Sequence, residues 1–580
     1  MKNTDCLPVT QWRFSLEQED ITEQLSNEFG ILPLMSKILM SRNIVNLADA
    51  RKYLFPSLND LHNPFLMKDM EKAVHRAIRA IHKKEKIVVF GDYDADGITS
   101  VAAMIKFFRV LLPETDFYIP DRIGEGYGLN RCAIDLLKSR AVDLIITVDC
   151  GVSDLECVTY ASTLGIDTII LDHHEVPEII PQAVAVIDPR RPDCPFPFKH
   201  LAGVGIAFNF LIGLRGKLRQ EGFWNDRTYP NLKNYLDLVA LGTIGDISPL
   251  VDENRIFTKI GLDLISEDKR VGLKALKEIC GIETQVMDTN KASFCLIPRI
   301  NAAGRVGSPT EAVKLLLTDD LTEARDIAKV LDGYNRKRQA IERTILQEIL
   351  EEIAKTIDPH QKSSLVFASA NWHPGVIGIV ASRLVDRFYR PTILISLRNG
   401  IGKGSGRSIA DVNIYQGLKK CDSLLLSYGG HQYAAGISIR EEDIEEFKHL
   451  LEGVIREDIQ PVNMISQTTI DAQCQLHDVN HDLLAQIAML APFGSRNPEP
   501  VLCVRNVNVT ASNIVGNNHL RMRLNGDGVS CNGIWFSKGH FIKQLTSGTT
   551  SDIAFTPQFN YWNGVNEIQL KMKDMSVPPG

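Results

Sequence analysis

Apolar positions fall into two rhythms along the chain, and the changes between them divide it. Over residues 1 to about 80 they recur at helical intervals, as in DMEKAVHRAIRAIHKK, where Met70, Val74, Ala77, Ile78 and Ile81 share a face. That spacing predicts a mostly helical lead-in. Short β-rich runs then take over: KIVVFGD, TDFYIPD, DLIITVDCG, DTIILDHHE and AVAVIDPR, several separated by helix-like stretches such as SVAAMIKFFRVLL. Strands alternating with helices predict a mostly parallel sheet flanked by helices, to about residue 255.

Residues 321 to 357 hold no proline and no strand pattern, which reads as one long helix or two in succession, a connector. A second α/β unit follows, from SSLVFASA to EEFKHLLEGVIRE, glycine-rich at GKGSGRS and YGGHQYAAG. The first of these could be a bare hairpin loop, or its glycines could let backbone N–H groups approach an anion closely. The last hundred or so residues turn to short alternating strands with Gly/Asn turns, the pattern of a small β-barrel of the OB type. The expected fold class is therefore α/β, with two α/β domains joined by a long helix, plus a C-terminal OB-like barrel. The expected boundaries are a lead-in at 1–80, a first α/β domain at 81–320, the connector at 321–357, a second α/β domain at 358–458 and the barrel at 459–580.

A chain of 580 residues is too long for one core. Its apolar fraction of 44% and charged fraction of 23% are those of an ordinary globular protein. A net charge of -7 excludes a broadly basic surface, so any nucleic-acid contact has to come from a local groove. Eleven scattered cysteines without a C-x-x-C pair disfavour structural zinc and a disulfide framework. No apolar run is long enough to span a membrane, and the N-terminus has no apolar leader core, so a cytoplasmic protein is expected.

The chemistry begins where the first strands end. In a parallel sheet the carboxyl ends of all strands lie along one edge, so polar residues that follow apolar runs gather there. Asp92, Asp94 and Asp96 follow KIVVF, Asp149 follows LIITV, Asp172, His173 and His174 follow DTIIL, and Asp246 follows a further apolar run in VALGTIGDISPL. One such aspartate alone is more often a helix N-cap or a turn residue. Four matching segments instead predict a shared centre for divalent cations, because so many acids would otherwise repel in a partly desolvated cleft. Carboxylates with one or two imidazoles and no thiolate suit Mn²⁺ or Mg²⁺, and a pair of such ions suits phosphoester hydrolysis. Asp94 and Asp96 are the better ligands of the first segment, with Asp92 able to serve the turn alone.

At these residues the sequence resembles the DHH phosphoesterase superfamily. DYDADG at 92–97, VDCG at 148–151, DHHE at 172–175 and GDISPL at 245–250 match its four metal-site motifs in order, and GGHQYAAG at 429–436 resembles the motif of the companion DHHA1 domain. DRIGEGYGL, RINAAGRVGSP, WHPGVIGIVASRL, GKGSGRSI and PFGSRNPEP extend the resemblance over nearly the whole chain, closest to bacterial members that digest single-stranded DNA from the 5′ end. The resemblance implies manganese or magnesium, two ions, held by Asp94, Asp96, Asp149, His173 and Asp246, with Asp149 bridging. It makes Asp149, His173 and His174 the catalytic set, His174 contacting the scissile phosphate or holding the ligand shell. It also implies a 5′-phosphate pocket of Arg122, Ser405 and Arg407, a phosphate contact from Arg305, and His431 facing the same cleft. Phe90 stands where some superfamily members carry a further metal-binding histidine, which leaves one metal site poorer in ligands. Gln432, Tyr433 and Arg496 also depart from the common pattern, away from the expected ligands.

The expected activity is thus a metal-dependent 5′→3′ exonuclease on single-stranded DNA, releasing 5′-mononucleotides in recombination and repair. The alternatives are a phosphodiesterase of short oligonucleotides or cyclic dinucleotides, a non-catalytic strand-binding relative, and a nucleotide-binding switch or scaffold. The expected partners are single-stranded DNA, a helicase and a single-stranded-DNA-binding protein, with no membrane and the chain as a monomer. Trp535, Tyr561 and Trp562 are candidates to stack on bases, or equally barrel core. Trp372 and His373 read as core and turn residues.

Overall fold

The near-continuous apolar runs after residue 85 pair as a sheet buried on both faces, as parallel strands require. In the computed structural model, which describes residues 11–14, 19–356, 358–410, 412–458, 467–562 and 565–576, this sheet has five strands. Their order is Asp116–Tyr118, Ile87–Gly91, Leu144–Val148, Asp167–Leu171, Ala185–Ile187, all parallel. Alternate side chains divide between the faces. Val88, Phe90, Ile145 and Ile170 pack with Ile134, Leu137, Val158 and Ala161 on one side. Helices Ala95–Leu111 and Gly203–Gln220 lie against the strands as well, with Leu236–Gly245 packed on both.

The chain divides into two compact units, residues 61–464 and residues 1–60 with 465–580. Residues 1–80 therefore do not stay together. The amphipathic helix Met70–Lys83 belongs to the first unit, and helices Glu19–Phe29, Pro33–Ser41 and Leu47–Leu54 to the second.

The connector is a single helix, Leu321–Thr356, about 54 Å long at 1.5 Å per residue. Its first half is fastened to the helices beyond the parallel sheet, with Asp332 2.8 Å from Arg299 and Arg325 2.7 Å from Glu278. Its second half buries Ile345, Ile349 and Ile353 with Leu365, Phe367 and Leu394 of a second sheet and with Val380 and Leu384 of helix Ile377–Phe388. Between them Arg338 and Arg383 ion-pair with the buried Glu342. A helix gripped along its length sets the spacing of the two sheets as a strut would.

The second sheet runs Leu425–Gly430, Ala434–Arg440, Ile401–Arg407, Thr392–Arg398, Leu365–Ser369. The last two strands are parallel and the rest antiparallel. GKGSGRS is therefore neither a loop nor an amide cradle. It is the central strand, paired along both edges, so its backbone N–H groups are spent in the ladders. Its glycines serve packing: a Cβ on Gly402, Gly404 or Gly406 would come within 2.5, 2.5 and 2.7 Å of Ile395, Ile437 and Ile414.

In the second unit, strands Leu502–Val515, His519–Gly526, Val529–Trp535, Thr549–Trp562 and Val565–Ser576 form a barrel, closed by pairing of Leu502–Val515 with Thr549–Trp562. Leu25, Met35, Ile38 and Leu39 of the N-terminal helices share a core with Leu483, Val504, Met522, Phe555 and Leu570. Trp535 belongs to that core, stacked on Phe541 at 5.6 Å. Its ring thus has no face left for a base. The side chains of Tyr561 and Trp562 lie outside those described. Every described cysteine is free, and no helix among the described residues is long and apolar enough to cross a membrane.

Candidate metal centre and the adjoining cavity

Register brings the strand-end acids to one edge, since Gly91 pairs with Val148 and Val148 with Leu171. Asp92, Asp149 and Asp172 follow these three residues directly. Asp246 reaches the same place differently. It caps the helix Leu236–Gly245 and does not follow a strand. A helix buried all round reads in sequence like a buried strand, and periodicity cannot separate them.

Ligand atoms converge in three overlapping groups, each within 4.8 Å: Asp92, Asp94 and Asp149; Asp149, His173 and His174; Asp96, His173 and Asp246. Asp149 and His173 each join two groups. His173 Nε2 lies 3.0 Å from Asp149 Oδ1 and 3.8 Å from Asp96 Oδ2, and its Nδ1 lies 3.8 Å from Asp246 Oδ2.

Neighbouring backbone aims these acids. Asp94 Oδ1 accepts the N–H groups of Asp96 and Gly97 at 2.9 and 3.1 Å, capping Ala95–Leu111. The everyday N-cap role therefore occupies that oxygen and leaves its twin. Asp96 accepts from Gly203 and Val204 at 2.7 and 2.9 Å, at the positive end of Gly203–Gln220. Gly203 has to be glycine, because a Cβ there would sit 2.9 Å from Asp149 Cβ. Asp149 and Ile247 take left-handed φ of 62° and 59°, and Ile247 is 75% exposed beside Asp246. A β-branched side chain in that region is strained backbone of the kind that clusters at functional sites.

The electrostatics ask for positive charge. Burial, then the adjacent carboxylates, push Asp92, Asp96 and Asp149 well above the usual carboxylate range. Asp92 Oδ1 and His173 Nδ1 are buried without a hydrogen-bond partner. Among the described residues no lysine or arginine pairs with Asp92, Asp94, Asp96, Asp149 or Asp246. Oxygen donors with one imidazole, orphaned lone pairs and uncompensated acids fit hard divalent cations. His174 differs from its neighbour. Burial pushes its pKa down, but the 2.7 Å hydrogen bond from Nδ1 to Asp172 Oδ1 outweighs that and carries it to about 9, while Asp172 is held at about 2.

Beside the acids lies a cavity of about 610 Å³, lined by Arg122, Ser405 and Arg407. Arg122 rests on the Tyr93 ring at 4.9 Å, and Arg407 Nη1 is 3.2 Å from Ser405 Oγ. Helix Ile377–Phe388 begins here, so close that a Cβ on Gly378 would meet Ser405 Oγ at 2.7 Å. A helix N-terminus with an arginine fork suits phosphate. Arg305, half-buried, donates to Gly375 O at 3.1 Å, and its pKa is lowered to about 10 by desolvation and then by Arg122. His431 lines a second cavity with Asp172 and His174. Trp372 is buried, donating to Glu348 at 2.8 Å, and His373 Nδ1 accepts from Gly375 N in the following turn.

Two residues of the site and two cations beyond it went unread in the sequence. Tyr127 lines both cavities and donates to Asp149 O at 3.1 Å. Tyr93 carries Arg122. Arg398 and Lys403 add two more cations to the larger cavity. The glycines around Tyr127, both with positive φ, were the available signal of an irregular loop, which is where binding residues concentrate.

Comparison with known proteins agrees along the chain. Residues 86–243 match the N-terminal domain of the DHH family, residues 361–457 the DHHA1 domain and residues 470–574 the RecJ OB domain. The single-stranded-DNA-specific exonuclease RecJ of Bacillus subtilis is 36% identical over 98% of this chain and 71% of its own. Crystal structures of Thermus thermophilus RecJ in complex with Mn²⁺ and with Mg²⁺ superpose with TM-scores of 0.84 and 0.78, at 28% and 27% identity. Each covers 98% of this chain, and 80% and 79% of the other. With its acids, its basic cavity and all three domain types in this order, the chain belongs to the RecJ family of single-stranded-DNA-specific exonucleases.

Proposed function

We propose that this protein removes nucleotides from the 5′ end of single-stranded DNA, with Mn²⁺ or Mg²⁺ as cofactor, and acts in recombination and repair in the cytoplasm. The carrying observation is the adjacency of uncompensated buried acids to a cavity rich in arginine within one compact unit. Asp94, Asp96, Asp149, His173 and Asp246 would hold two cations, with Asp149 able to serve both. When bound, these polarise the phosphoryl oxygen, acidify a water and steady the leaving oxygen.

The chain's own groups do the rest. Arg122, Ser405 and Arg407 fix the terminal phosphate, which sets the first internucleotide phosphorus against the acids and defines the direction of digestion. Arg305 and the His174 imidazolium neutralise the scissile phosphate, Asp172 keeping the proton on His174. His431 closes the cleft from the other side. Water oxygen joins phosphorus as the P–O3′ bond breaks, so a 5′-mononucleotide leaves and the shortened strand again bears a 5′-phosphate.

In this reading residues 81–320, with helix Met70–Lys83 ahead of them, are the phosphoesterase domain, 321–357 the connector, 358–458 the domain that grips the end, and 459–580 the barrel, which shares its core with the N-terminal helices and binds strand. The protein works as a monomer, with a helicase supplying single strand and a strand-binding protein as partner. The test is digestion of 5′-labelled single-stranded and blunt duplex DNA with Mn²⁺, with EDTA as control. Labelled mononucleotide is expected from the single strand alone, and only with metal. Release of label from blunt duplex at the same rate removes the strand specificity.

A further inference from the structure

The larger cavity holds more positive charge than a terminal phosphate needs. Four cations line it, Arg122, Arg398, Lys403 and Arg407, and no aspartate or glutamate does. A phosphate monoester brings a charge of about -2 at most. None of the four has an ion-pair partner among the described residues, although the chain as a whole is acidic at -7. Like charges left together repel, and Arg122 already depresses the pKa of Arg407 after burial. Such a set persists where an occupant supplies the balance.

Their arrangement gives the shape of that occupant. Alternate residues of a strand stand on one face at intervals of about 6.8 Å. On Ile401–Arg407 the even positions are glycines turned to the core, so Arg407, Ser405, Lys403 and Ile401 form a row along the cavity. Arg398 faces Ile401 in the antiparallel register and prolongs the row to the hairpin end. Cations thus continue in line beyond the Arg122, Ser405 and Arg407 pocket, in a space of about 610 Å³, the size of whole ligand sites.

We propose that Lys403 and Arg398 form a subsite for the β- and γ-phosphates of a 5′-triphosphorylated strand, so that the protein also digests strands carrying a triphosphate end. This rests on the exonuclease reading above. Water adds to the first internucleotide phosphorus, the 3′-oxygen leaves with a proton, and the first nucleotide departs as a nucleoside 5′-triphosphate. The remaining strand has an ordinary 5′-phosphate, so the subsite acts in the first turnover alone.

The experiment compares single-stranded DNA of one sequence bearing a 5′-triphosphate, a 5′-phosphate or a 5′-hydroxyl, with Mn²⁺, and separates first-turnover products by chromatography. Wild type is expected to release nucleoside triphosphate with kcat/KM close to that for the 5′-phosphate strand. Arg398→Ala with Lys403→Ala should lower kcat/KM on triphosphate ends by about 10–100-fold, the worth of one or two charge-assisted contacts, and leave the 5′-phosphate strand much less affected. Equal losses on both ends, or triphosphate ends left uncut while 5′-phosphate ends are digested, overturn the subsite. A dinucleotide released from the 5′-phosphate strand also overturns it, by showing that the outer cations hold a second backbone phosphate. If the 5′-phosphate strand is not digested either, the exonuclease reading falls and the subsite with it.

Discussion

Along the rim of the parallel sheet Asp92, Asp96 and Asp149 are buried and crowd one another. Along the mixed sheet Arg398 and Lys403 stand exposed in a wide cavity with two further cations. The acidic cluster is desolvated, so every charge in it is costly and its protonation shifts. Arg398 and Lys403 stay wet, so their charges survive at modest cost. The difference fits the two occupants. A bare cation is small and tolerates a tight, dry cage, whereas a strand end is large and arrives hydrated.

Four experiments test this contrast, in descending size of effect. Asp149→Ala should lower kcat by at least about 10²–10³-fold, as loss of a group acting on the reacting phosphate does, while circular dichroism and single-strand binding stay near wild type. Wild-type turnover in this variant removes Asp149 from the bridge. Arg407→Ala should cost about 10–100-fold in kcat/KM on 5′-phosphorylated strands and much less on 5′-hydroxyl strands. Equal losses on the two ends take Arg407 out of the pocket.

Chelation and pH sharpen the dry side. Asp92, Asp96 and Asp149 have pKa values raised in the fold, so the metal-free fold binds more protons than the unfolded chain. Its stability is therefore highest at low pH among these groups' contributions and falls as pH rises toward the raised values. Melting of EDTA-treated protein should drop by a few degrees as the pH is raised from about 4, the ordinary carboxylate value, toward and past neutrality. Mn²⁺ should restore more at the higher pH, where no proton competes for the ligands. A metal-induced shift independent of pH argues against those acids as ligands. The smallest effect is expected at Trp535→Phe, a core change of about 1–3 kcal/mol with strand affinity retained. A large loss of affinity in a stably folded variant would return that ring to the DNA surface.

Much of the metal centre was legible because Asp92, Asp149 and Asp172 directly follow apolar strands, with Asp94 and Asp96 in the turn just after the first, and parallel pairing converts that local position into a shared edge. Asp246 arrived by the same signal through a helix. What stayed hidden depends on contacts between distant segments. That Asp96 is held by the N–H groups of Gly203 and Val204 follows from how a helix more than a hundred residues later docks. That Arg398 and Lys403 share a cavity with Arg122 needs the second sheet in place. The glycine density of GKGSGRS imitates a loop, since composition alone cannot tell a glycine that bends a chain from one that makes room for isoleucine. Trp535 was ambiguous for a related reason: an aromatic on a barrel strand points inward or outward according to a register that only the closed barrel fixes.

The glycines at 402, 404 and 406 leave their strand with one face that admits no side chain and another that carries Lys403, Ser405 and Arg407 into the pocket. Substitutions in this segment are therefore sorted by parity. Even-numbered changes jam the layer beneath and are lost as folding defects, while odd-numbered changes alter what the pocket accepts without disturbing the layer below. Selectivity for the strand's end can drift or be redesigned there one residue at a time.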